Sequence, residues 1–86
     1  MRRTSELLLA ARAEALFTSG IPTGAAPDPA EVTEAISTAV RRHSGTRGCA
    51  AAVAYAYGER PETAAPRMRW ARCTVLACYP GRRRPA

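Results

Sequence analysis

The spacing of small and apolar residues constrains this chain more than any other feature. Ala64, Met68, Ala71, Val75 and Cys78 recur at three- and four-residue steps, as do Val32, Ala35, Ile36, Ala39 and Val40. Steps of that size stack side chains on one face of an α-helix. Nowhere do β-branched residues alternate over the length of a strand, so the sequence predicts an all-α fold. Alanine supplies 19 of the 86 residues and large apolar side chains are few. Such a chain forms one domain with a small core, to which self-association would add burial.

Glycine and proline divide the pattern into four helices. Helix one is expected from Ser5, as a cap, to Ser19, with Gly20 ending it and Ile21-Pro22 preventing its continuation. Leu9, Ala13, Leu16 and Phe17 share one of its faces, while Leu7 and Leu8 fall partly outside. A helix apolar over so much of its circumference is deeply packed or shared with a partner. Gly20 to Pro27 reads as a linker. Helix two has the clearest start: Asp28 as cap, Pro29 at the first helical position and Glu31 completing a capping box. Arg41, Arg42 and His43 fall in its last turn, where cations suit the helix dipole, and Gly45 closes it.

Helix three is expected from a Thr46 cap to about Tyr57, with Cys49, Ala52, Val53 and Ala56 inward and Gly58 as its stop. After a tight turn at Arg60-Pro61, helix four runs from Pro61 or Glu62 to about Tyr79, with Pro66 predicting a bend or a delayed start. The expected organisation is therefore four helices, the last three forming a trihelical helix-turn-helix unit. Residues 1–20 form a packing or dimerisation helix, 21–79 the helix-turn-helix domain and 80–86 a disordered basic tail.

Charge is divided unequally. Residues 1–40 hold three Arg and five acids, net −2, whereas residues 41–86 hold ten Arg and two acids, net +8. A basic half beside a mildly acidic half indicates a binding face for an anionic partner. All 13 basic residues are Arg, which is consistent with coding bias. Arg also forks bidentately onto phosphate or guanine.

Several function classes find no support. Three cysteines (Cys49, Cys73, Cys78) and a lone His43 make no metal or disulfide pattern, and a reducing cytoplasm is the simplest setting. Cys49 and Cys78 are read as small core residues and His43 as a surface or cap residue. Arg12 and Glu14 interrupt the apolar run after Met1-Arg2-Arg3 too early for a secretory signal. Paired carboxylates, a phosphate loop and a nucleophile–base pair are all missing, so no enzyme, cofactor, small-molecule ligand or membrane role is expected.

What remains is nucleic-acid chemistry. The N-terminal half of helix four is the part that would reach base edges: Thr63 could touch a base, Arg67 or Arg69 could fork onto guanine, and Glu62 could accept from a cytosine amino group. Arg47, Arg60 and Arg41 or Arg42 suit phosphate contacts. Arg82, Arg83 and Arg84 suit non-specific phosphate attraction, in a run resembling an AT-hook out of register. Trp70 is read as packing against helix one or the linker.

Residues 46–72 resemble the helix-turn-helix superfamily. Val53 and Ala54 stand at its apolar-then-small pair, Gly58 at the turn glycine, and Ala64 or Ala65 with Met68 at the inward positions of the second helix. Glu59 departs from the apolar residue that usually follows the glycine, and Met68 fits if the turn is one residue longer. Residues 21–79 are also similar to small single-domain helix-turn-helix proteins of high-GC bacteria, including a nucleoid-associated family that binds GATC-containing sites. The runs Arg-Gly-Cys-Ala-Ala-Ala and Arg-Met-Arg-Trp-Ala carry that similarity. It implies a nucleoid-associated protein or transcription regulator of the cytoplasm that binds double-stranded DNA. The alternative is a protein-interaction module, a sigma-factor partner or antitoxin-like protein, using the apolar helix one; structured RNA is a third, weaker partner.

Overall fold

The computed structural model describes the backbone of residues 2–80 and side chains from Ser5 onward. All regular structure among these residues is helical: α1 (Arg2–Phe17), α2 (Pro29–Arg42), α3 (Thr46–Glu59) and α4 (Pro61–Cys78). The expected all-α, four-helix architecture is present. The core joins Ala13, Leu16 and Phe17 of α1 to Val32, Val53, Ala64, Ala71 and Val75 of the other helices. A smaller cluster of Ala15, Ala39 and Cys49 sits where α1, α2 and α3 meet. Alanines at these contacts let the helices approach closely, so few large side chains suffice.

α1 is central. It packs most extensively against α4 and touches α2 and α3 as well. The two helices run antiparallel, because Arg67 on α4 meets Phe17 at the end of α1 while Arg12 lies over the ring of Tyr79, just past α4. α1 starts before Ser5, which lies inside the helix and does not cap it, and it ends two residues short of Ser19.

α2 begins as its sequence demands. The Asp28 carboxylate accepts the Glu31 amide at 2.8 Å, and the Glu31 carboxylate accepts the Asp28 amide at 2.8 Å. Its end is a reversal in which Gly45 N–H donates to the Val40 carbonyl at 2.7 Å and Ser44 N–H to that of Arg41 at 3.3 Å. This is the Schellman pattern, with Ser44 (φ 60°) at the left-handed position and Gly45 (φ 111°) after it. His43 is the C-cap, as read from the sequence. Three residues on, Gly48 lies so close to His43 that an added β-carbon would fall on the His43 carbonyl oxygen. The α2–α3 corner therefore admits only glycine at position 48.

The α3–α4 connection differs from the expected turn. α3 does not stop at Gly58 but continues to Glu59, and Arg60 alone separates it from α4. Gly58 has no positive φ, and a β-carbon there would meet nothing within 4 Å. Helical hydrogen bonding thus continues through a residue whose composition signals a break. Arg60 closes one helix with its amide on the Ala56 carbonyl (2.8 Å) and opens the next with its carbonyl accepting the Ala64 amide (2.9 Å). α4 passes Pro66 without interruption; Glu62, four residues earlier, is on the same exposed face, so water can reach the carbonyl that Pro66 leaves unbonded.

Candidate nucleic-acid interface

The stripe expected to bury α4 does so: Ala64, Ala71 and Val75 are buried, and Met68 and Cys78 are half-buried. The opposite face, Glu62, Pro66, Arg69 and Cys73, is exposed, as are Thr63 and Arg72. Thr63 turns its hydroxyl back onto the Arg60 carbonyl at 3.2 Å, reinforcing the first turn.

Arg67 has a different position from the one its spacing suggested. Its Nε–H donates to the Phe17 carbonyl (2.7 Å), Nη1 to the Thr23 hydroxyl (2.8 Å), and Nη2 to the carbonyls of Ser19 (3.0 Å) and Ile21 (2.9 Å). The guanidinium carbon also lies 5.0 Å from the Trp70 ring centroid and 5.6 Å from that of Phe17. Burial pulls its pKa below the ordinary value, yet an arginine so placed stays protonated at neutral pH. α1 carries no basic residue in its last turn, so Arg67 supplies the cation that the negative end of its dipole favours. The expected base contact by Arg67 is thus replaced by a structural one. No short-range pattern could have found it, since the acceptors lie 44 to 50 residues away along the chain.

Trp70 extends the same clamp. Its indole N–H donates to the Ala25 carbonyl at 2.8 Å and its ring joins the main core, so the linker covers it, as the packing reading held. The remaining carbonyls at the end of α1 are satisfied locally: Thr18 and Ser19 hydroxyls donate to Ala15 (2.8 Å) and Leu16 (2.6 Å).

Other arginines keep their charge outward. Arg47 and Arg60 are exposed at the two ends of α3, Arg69 and Arg72 along α4, and Arg41 and Arg42 at the end of α2. Arg41 bonds the Ser37 hydroxyl at 3.0 Å on its own helix. α3 starts without a side-chain cap on its first amides. Arg82, Arg83 and Arg84 lie outside the described residues.

The thiols play the roles read for them, with Cys49 buried, its Sγ 3.7 Å from the Ala39 carbonyl, and Cys78 half-buried. Among the described residues no cluster of His, Cys, Asp or Glu could hold a metal ion, and no helix is long and apolar enough to cross a membrane. No family model, no curated protein and no solved structure matches the chain.

Proposed function

We propose that the protein binds double-stranded DNA, as a nucleoid-associated protein or transcription regulator, through the outward side of its α3–α4 half. The observation that carries this reading is the exposure of Arg47, Arg60, Arg69 and Arg72 on those helices and their junction, where the acids are only Glu59 and Glu62. With Arg67 committed to the linker, direct base contacts fall to Arg69, Thr63 and Glu62 in the N-terminal half of α4. In a helix-turn-helix mode this half would enter the major groove while Arg47 and Arg60 hold phosphates on either side.

Fluorescence anisotropy on a duplex, repeated over a salt series, tests the reading. Neutralising about five phosphates gives a slope of log affinity against log salt between about −4 and −5. An Arg69→Ala/Arg72→Ala variant should lose up to about two units of that slope and keep its unfolding midpoint, since both side chains are exposed. Absence of duplex binding at low ionic strength would end the proposal, and preferential displacement of duplex DNA by structured RNA would redirect it.

A further inference from the structure

α4 carries its candidate base readers on both sides of a proline. Glu62 and Thr63 precede Pro66, Arg69 follows it, and all three readers are exposed. Pro66 has no amide hydrogen, so nothing ties it to the Glu62 carbonyl one turn back. A helix bends where such a bond is lost. The placement of Arg69 relative to Glu62 and Thr63 therefore depends on what sets the course of the helix on each side of Pro66.

Before Pro66, Ala64 is 3% exposed and anchors the first turn in the core. After it, Met68 and Ala71 press on that core as well, but apolar contact is non-directional and does not fix a rotation. The directional bonds on that side come from Arg67 and Trp70. Arg67 donates to the Phe17, Ser19 and Ile21 carbonyls and the Thr23 hydroxyl, and Trp70 to the Ala25 carbonyl. Their acceptors are spread along the chain from the end of α1 into the linker, so the bonds fix both tilt and rotation. Arg67 and Trp70 are half-buried on the linker side of the turn whose other side exposes Arg69.

We propose that Arg67 and Trp70 are positioning residues for duplex recognition. Through them the α1–α2 linker holds the turn after Pro66 so that Arg69 stands in register with Glu62 and Thr63. This rests on the DNA-binding reading of α4 and adds that sequence preference is set from the linker. Such a clamp acts on discrimination more than on attraction. Arg47 and Arg60 lie off the clamped turn, and attraction to phosphate survives a small shift. A fork on a base edge does not, because its hydrogen bonds weaken steeply with angle.

Anisotropy titrations test this on a duplex selected by the protein from a random pool and on a scrambled duplex of equal composition. Each variant is measured well below its own unfolding midpoint. Trp70→Phe keeps a packed ring and loses the indole N–H, and Thr23→Val removes one acceptor from the linker. Combined, they should leave the slope of log affinity against log salt unchanged. They should cut the ratio of the two affinities at least about fivefold, the low end of one base contact. In an Arg69→Ala background the same two changes should cut it no further, since the clamp then has nothing to aim. Residual dipolar couplings of the free protein give a readout without DNA: residues 67–70 should reorient relative to residues 61–65 in the double variant. Full discrimination in that variant, equal loss on both duplexes with a shallower salt slope, additivity with Arg69→Ala, or unchanged couplings would each overturn the positioning role. So would a parent that binds duplexes without discrimination. A parent that binds no duplex would instead remove the DNA reading on which the role rests, and the role with it.

Discussion

The two joints on either side of α2 are built by opposite means. The α2–α3 corner is made by the chain at hand: His43, Ser44, Gly45 and Gly48 lie within six residues, and their backbone geometry closes the turn. The α1–α2 linker is long, and much of what holds it comes from α4, through the Arg67 fork and the Trp70 indole. A local joint depends on which residues lack a β-carbon or tolerate a left-handed backbone. A remote joint depends on a side chain that finds unpaired carbonyls, and it withdraws that side chain from the surface.

The largest effect should come from the local joint. Gly48→Ala drives a β-carbon into the His43 carbonyl, so α3 must move off α2, at a cost of about 3 kcal/mol. Urea unfolding measures this, and a midpoint equal to the parent would remove the close approach from the account.

Loss of the remote joint should cost somewhat less. Arg67→Ala removes four hydrogen bonds from a half-buried cation; partial solvent screening keeps the loss to about 2–3 kcal/mol. Arg67→Lys should recover less than half, because an ammonium cannot reach four acceptors arranged around a planar fork. Were Arg67→Ala as stable as the parent but weaker on DNA, the clamp would give way to the surface role that spacing alone suggests.

The smallest effect concerns the third joint and has the opposite sign. Gly58 is helical with open space around its α-carbon, so Gly58→Ala should stabilise by about 0.5–1 kcal/mol. A left-handed turn glycine, as a helix-turn-helix pattern would place there, would instead make the same change destabilising. The sign of that one midpoint shift distinguishes a nearly continuous α3–α4 junction from a conventional turn.

Much of the fold was legible in short stretches of chain. Asp28, Pro29 and Glu31 announce the start of α2, and the buried residues of α4 follow their three- and four-residue spacing. Helix ends were read less well where the signal was a single residue: Ser5 is not a cap, and Gly58 is not a stop. At both places helical hydrogen bonding simply continues through the residue, which is solvent-exposed in each case.

The candidate interface divides along the same line. Composition alone places ten arginines in residues 41–86, and periodicity puts Arg69 opposite the core. Trp70 was legible as packing, whereas spacing offered Arg67 to a base; its place on the linker required knowing that α1 ends, with carbonyls facing outward, alongside the middle of α4. Helix class, the capping box of α2 and the inward stripes were thus determined by the sequence itself, because they depend on interactions within a few residues. Which arginine is tied into the fold and which stay at the surface was decided only by tertiary structure, since that depends on helices that meet from distant parts of the chain.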